Sequence, residues 1–88
     1  MQGSKKKNYY VYILLCDNGS FYTGYTDNLE KRLHAHAIGK ASKYTRSFKP
    51  IRLVYTYNVG ESKSDALKLE NKIKKFSRSE KEAFIQKG

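Results

Sequence analysis

Residues 9–26 read Tyr9-Tyr10-Val11-Tyr12-Ile13-Leu14-Leu15-Cys16-Asp17-Asn18-Gly19-Ser20-Phe21-Tyr22-Thr23-Gly24-Tyr25-Thr26. The run from Tyr9 to Leu15 is dense in β-branched and aromatic side chains and reads as a strand. Asp17-Asn18-Gly19-Ser20 is a hairpin turn signal, because Asn and Gly adopt the backbone angles that tight turns need. Phe21 to Thr26 is then the returning strand. Register decides which side chains share a face. A two-residue Asn18-Gly19 turn pairs Tyr12 with Tyr25 and sends Tyr22 to the opposite face. A three-residue loop, Asp17-Asn18-Gly19 with a left-handed Gly19, pairs Tyr12 with Gly24 and Leu14 with Tyr22. The second register gathers Val11, Ile13, Leu15 and Phe21 on one face and leaves Tyr12 and Tyr22 as neighbours on the other. Gly24, lacking a side chain, then leaves space before Tyr12. That separation of an aliphatic face from a tyrosine face favours the longer loop.

Working outward, Asp27 is the expected N-cap of a helix, with Glu30 three residues on. Leu29, Arg32, Leu33 and His36 lie on one stripe of it, and Gly39 should end it. Residues 41–48 read as a short helix or an ordered loop before Pro50. Ile51 to Tyr57 alternates and favours a third strand. Ser62 or Ser64 caps a second long helix to about Phe76, with the core stripe Ala66, Leu69, Ile73 and Phe76. Ser77 or Ser79 opens a last short helix that turns Phe84 and Ile85 inward. The expected fold is α+β: a three-stranded antiparallel sheet flanked by helices in the order β-β-α-α-β-α-α. Residues 1–8 read as a flexible basic tail and residues 9–86 as a single domain.

The chain has 88 residues, with 18 Lys or Arg against 8 Asp or Glu and a net charge of +10. Such an excess opposes compaction and points to a polyanionic partner, DNA or RNA. Cys16 is the only cysteine, which excludes an internal disulfide and fits a reducing compartment, so a cytoplasmic location is expected. No apolar run approaches the roughly 18 residues of a membrane span. Lys5-Lys6-Lys7 before an apolar run imitates a signal peptide, but Asp17-Asn18-Gly19 closes the run without a cleavage site.

Three polar residues sit on core stripes. Arg32 and His36 are one turn apart beside Leu29 and Leu33, and Glu70 lies between Ala66 and Ile73. A buried charge is costly unless it is paired or bound to a metal. An arginine at a stripe edge can snorkel to water; three such residues together with a tyrosine-rich face suggest a site. His34 lies on the opposite side of its helix and should be solvated.

The ordered set Tyr10-Val11-Tyr12, Tyr22-Thr23-Gly24, Arg32 and Glu70 resembles the GIY-YIG endonuclease domain. The stretch from Phe21 to Leu33, followed by His36, is similar to the family's second-strand and first-helix signature. Gly39 to Arg46, with Lys43-Tyr44-Thr45-Arg46, is like its small, stand-alone bacterial branch. Likeness runs from Tyr9 to about Ile85. Tyr10 stands where the motif has its first glycine, and Thr23 where it has isoleucine.

The resemblance implies a metal-dependent endonuclease hydrolysing phosphodiester bonds in DNA, structured or damaged DNA included. A single carboxylate, Glu70, suits Mg²⁺ or Mn²⁺, since Mg²⁺ keeps several waters. Arg32 offers a charged fork to the phosphate. Either Tyr12 or His36 is the general base: a free tyrosine, with a pKa of about 10, is a poor base, whereas histidine near about 6.5 suits the task. Tyr22 would position water or phosphate, and Gly24 is a structural motif residue. Lys40, Lys43, Arg46, Lys49 and Arg52 recur every three positions around Tyr44. They could track a nucleic-acid backbone while Tyr44 stacks on a base. The alternatives are a non-catalytic nucleic-acid-binding module with the same fold and, on size and charge alone, a ribosome-associated RNA-binding protein. Larger members carry a second, target-choosing domain, so a protein partner supplying target recognition is a further expectation. DNA is the expected partner ahead of RNA, and no membrane is expected.

Overall fold

A computed structural model describes residues 7–87. The basic tail expected over residues 1–8 lies, as far as residue 6, outside the described residues. Lys7 forms an ion pair with Asp27 at 3.3 Å.

Strands β1 (Tyr9–Cys16) and β2 (Phe21–Thr26) form the hairpin. Tyr12 faces Gly24 and Leu14 faces Tyr22, the register of the three-residue loop. Gly19 takes φ 83°, a left-handed conformation that glycine adopts without steric cost. Helices α1 (Leu29–Ala37) and α2 (Lys43–Ser47) follow, then β3 (Pro50–Gly60), α3 (Lys63–Lys74) and α4 (Arg78–Lys87). The segment 41–48 therefore contains a short helix. The sheet order is β2-β1-β3 with both pairings antiparallel, so β1 is central. The third strand outruns its expected limits at both ends. Pro50 is harmless as its first residue, since it lacks only an N–H, and Gly60 still pairs with Tyr9.

The first helix is capped one residue later than expected. Asn28, not Asp27, accepts the Lys31 N–H through its side chain at 3.1 Å. The Thr26 hydroxyl accepts the Asn28 N–H at 3.1 Å, which turns the chain so that Asn28 faces the helix end. Asp27 is left to pair with Lys7. Ser62 caps α3 through the Asp65 N–H. Ser77 and Glu80 form a reciprocal box at α4: Ser77 N–H donates to Glu80 Oε1 at 2.7 Å, and Glu80 N–H donates to Ser77 Oγ at 3.2 Å.

Val11 and Ile13 of β1 are fully buried with Ala66 and Ile73 of α3. Phe21, Val54, Tyr55, Leu69, Phe76, Phe84 and Ile85 pack around them. Leu15, expected in this core, is half-buried and sits with Phe21 at its margin. The opposite face of the hairpin carries Tyr12 and Tyr22, and the His36 ring of α1 meets both edge-on. The two layers thus sort as the hairpin alternation requires: aliphatic packing below α3, aromatic and polar packing below α1.

Candidate active site

Gly24 is where the two layers communicate. A Cβ placed there would stand 2.5 Å from the Tyr12 hydroxyl oxygen and 2.7 Å from its ring carbon Cζ. The Tyr12 ring therefore lies over bare backbone, and only glycine permits that approach. Because β2 is an edge strand, the cleft beside it takes side chains from both layers. Its volume is about 440 Å³, and its walls include Tyr12, Tyr22, Gly24, Arg32, Lys63 and Glu70. All four parts of the sequence signature thus meet in one cleft.

Tyr12 exposes none of its surface, and His36 only 1%. The Tyr12 hydroxyl lies 2.7 Å from His36 Nε2. On the far side of the ring, His36 Nδ1 lies 2.8 Å from Thr45 Oγ1, and Thr45 Oγ1 lies 2.9 Å from Ser42 Oγ. Ser42 is also the N-cap of α2, accepting the Thr45 N–H at 3.1 Å. Burial pushes the Tyr12 hydroxyl above the ordinary tyrosine range, Tyr22 adds to that, and Arg32 opposes it. Burial and the Arg32 charge push His36 down to about 4. At neutral pH the pair is therefore a protonated phenol beside a neutral imidazole.

Glu70 is 9% exposed and projects from the inner stripe of α3 into the cleft. Its carboxylate pairs with Lys74, one turn on, at 3.7 Å. His34 is exposed, as its position opposite His36 implies.

The basic residues divide. Lys40, Lys43 and Arg46 line a shallow depression with Gly39 and Ser42. Lys49 is exposed, and its carbonyl accepts the Asp17 N–H at 2.8 Å. Arg52 lies apart, in a cleft with Phe21, Arg78 and Glu82 of α4. The three-residue recurrence therefore does not make one continuous track. The Tyr44 ring stacks on Tyr22 with centroids 6.1 Å apart and leans on Phe48 at 5.1 Å. Its hydroxyl bonds to Ser20 and Asn18, and 38% of the residue is exposed.

Sequence reading places Thr45 in the Lys43-Tyr44-Thr45-Arg46 stretch without a role, and misses Ser42 and Lys63. Ser42 and Thr45 carry the spacing of a helix cap, which signals the cap and not the contact with His36. Lys63, first residue of α3, gave no signal beyond charge.

Among the described residues no group of three or more His, Cys, Asp or Glu is placed to hold a metal. No helix of the described chain is long and apolar enough to cross a membrane. The GIY-YIG catalytic domain matches residues 8–83. The UPF0213 protein BH0048 of Halalkalibacterium halodurans is 47% identical over 78 residues, 89% of this chain and 82% of that protein. The UPF0213 protein SSP2268 of Staphylococcus saprophyticus is 45% identical over 80 residues, 91% of this chain and 96% of that one. Among solved structures, the solution structure of BH0048 superposes with a TM-score of 0.59 over 90% of this chain and 83% of its own. That of EF2693 from E. faecalis, 39% identical, gives 0.62 over 99% of this chain and 90% of its own. With Tyr12, Tyr22, Arg32 and Glu70 at one cleft and the match spanning nearly the whole chain, the protein belongs to the GIY-YIG catalytic domain family.

Proposed function

We propose that this protein is an endonuclease that hydrolyses phosphodiester bonds in DNA. The observation that carries the reading is the meeting of the Tyr12–His36 pair, Arg32 and Glu70 at one cleft. Hydrolysis needs a proton acceptor for water, positive charge for the phosphate, and help for the leaving oxygen. Arg32 supplies the charge as a planar fork suited to two phosphate oxygens. Tyr12 takes the water proton while its own proton passes to His36 Nε2. That coupling matters, because a free phenolate is disfavoured when the hydroxyl is raised by burial. A neutral His36 is ready to accept. One proton enters the Tyr12 oxygen as another leaves it, so charge appears on the imidazole and never on the phenol. Tyr22 orients water or phosphate from the cleft wall.

The donor set fits a hard divalent cation, Mg²⁺ or Mn²⁺. Glu70 would hold it alone, with water and substrate oxygens completing the shell. When bound, such an ion neutralises phosphate charge and eases departure of the leaving oxygen. Lys40, Lys43, Arg46 and Lys49 gather the DNA backbone, and the exposed part of the Tyr44 ring offers a base a stacking surface.

The complete burial of Tyr12 favours a second reading, a DNA-binding module in which the Tyr12–His36 pair is structural. One experiment separates them. Purified protein is incubated with branched, single-stranded and duplex DNA, with Mg²⁺, Mn²⁺ or chelator, and then as Arg32→Ala and Glu70→Ala. Nicking that requires cation and disappears in both variants is expected. Binding without nicking supports the module, and nicking that survives both substitutions refutes the assigned residues.

A further inference from the structure

The hydrogen bonds behind His36 have one consistent direction. Tyr12 is buried and carries one proton that needs an acceptor. Its neighbours at the oxygen are the Arg32 guanidinium, which only donates, and His36 Nε2 at 2.7 Å. The Tyr12 hydroxyl must therefore donate to Nε2. A neutral imidazole whose Nε2 accepts carries its proton on Nδ1. Nδ1–H then donates to Thr45 Oγ1 at 2.8 Å, and the Thr45 hydroxyl donates to Ser42 Oγ at 2.9 Å. Ser42 is half-buried, so its own proton can reach solvent. In the reverse direction the Tyr12 proton would be left buried against donors.

We infer that Thr45, held by Ser42 at the start of α2, is a positioning residue that keeps His36 in its Nδ1–H tautomer with the Nε2 lone pair aimed at Tyr12. The inference rests on the proposed Tyr12-to-His36 proton transfer for its meaning, though not for its geometry. Thr45 serves both states of the ring. When the Tyr12 O–H bond breaks and the Nε2–H bond forms, the imidazolium still donates through Nδ1 to the same oxygen. Nothing behind the ring has to reorganise. The placement also explains why a helix of only five residues is pinned by two hydroxyls: it delivers one buried oxygen, 1% exposed, to the back of the imidazole.

The full chain, labelled with ¹⁵N, tests this through long-range ¹H–¹⁵N correlation of the His36 ring at pH 7. The wild type should show Nδ1 protonated in at least about tenfold excess, the ratio expected from avoiding one buried unpaired donor. Thr45→Val, of the same shape without the hydroxyl, should transfer a large share of the proton to Nε2, and Thr45→Ser should restore it. In nicking assays Thr45→Val should lower kcat by about 10- to 100-fold with KM unchanged, again restored by serine. An Nε2–H ring in the wild type, or a tautomer indifferent to Thr45→Val, overturns the inference. The wild-type ring assignment needs no variant, so it decides the matter even if Thr45→Val fails to fold. A wild type that never nicks DNA but shows the Nδ1–H ring refutes the proposed function and leaves the tautomer assignment standing.

Discussion

The Tyr12 hydroxyl and the His36 Nε2 meet at 2.7 Å, 24 residues apart in the chain, and both side chains are buried. The strand supplies one partner and α1 the other, so the contact exists only in the folded domain. Tyr12→Phe removes the oxygen and leaves Nε2 without its donor. The expected loss of stability is about 1–3 kcal/mol, the cost of one buried polar atom left unpaired. Nicking should fall by about 10²- to 10⁴-fold, the usual contribution of a positioned proton-transfer group. DNA binding should persist. Denaturant melts, nicking rates and a DNA-binding titration check the three parts, and full nicking by Tyr12→Phe would remove Tyr12 from the reaction.

Gly24→Ala attacks the same hydroxyl from the opposite side. Its backbone needs no unusual φ, so the effect is one of space alone. The added methyl overlaps the Tyr12 oxygen and Cζ, both in a wall that exposes no surface. The expected cost is about 1–3 kcal/mol, typical of overpacking. The penalty should shrink when Tyr12 is already leucine, because the colliding atoms are gone. A double-mutant cycle in chemical denaturation measures this coupling. Additive penalties would mean that the methyl is resented by something other than Tyr12.

Much of this geometry is legible in the sequence. Asp17-Asn18-Gly19 and the alternation of Val11, Ile13 and Tyr12 favour the observed register, since it separates apolar from tyrosine faces. Arg32, His36 and Glu70 stood out because polar residues interrupted helical stripes. Thr45 is legible only as a member of the Lys43-Tyr44-Thr45-Arg46 stretch, with nothing to mark its contact with His36. Its segment is too short to show a period, and a small hydroxyl in a polar loop looks solvated until the fold buries it against His36. The cap falls on Asn28 and not on Asp27 for a related reason. Asp27 and Asn28 are equally good caps, and the Thr26 hydroxyl that chooses between them is a tertiary detail of the strand end. Arg52 fell into the basic series by spacing, but a strand sends it toward α4, away from Lys40 and Lys43.

The buried imidazole makes stability depend on pH. His36 is pushed down to about 4, against about 6.5 in the unfolded chain. A lowered histidine binds its proton more readily when unfolded, so acid favours unfolding. Its contribution is fully present above about 6.5 and is lost as pH falls through 6.5 toward 4. The total is on the order of 3 kcal/mol. The groups facing the ring are Tyr12, Tyr22, Thr45 and Arg32. Thermal melts across that range should fall more steeply for the wild type than for His36→Gln. His34→Gln, altering an exposed ring, is the control and should keep the wild-type slope. Equal slopes for all three would show that His36 titrates alike in both states.

Thr23 sits where the family motif has isoleucine, and its hydroxyl is the one buried side-chain polar atom without a hydrogen-bond partner among the described residues. It pairs across the hairpin with Ile13, on the face that packs toward α3 and away from the Tyr12 hydroxyl. Burying an unpaired hydroxyl costs free energy that a methyl of the same size does not. Thr23→Val keeps the shape and the β-branch, so it should stabilise the fold by about 1 kcal/mol. The denaturant midpoint should rise with an unchanged m-value, which marks a change in stability rather than in compactness. Nicking should be unaffected, because the side chain lies in the apolar layer while the proposed chemistry occupies the other. A loss of stability would mean that a bound water satisfies the hydroxyl. A gain accompanied by lost nicking would mean that the two layers are coupled through β2, where Thr23 stands directly between Tyr22 and Gly24.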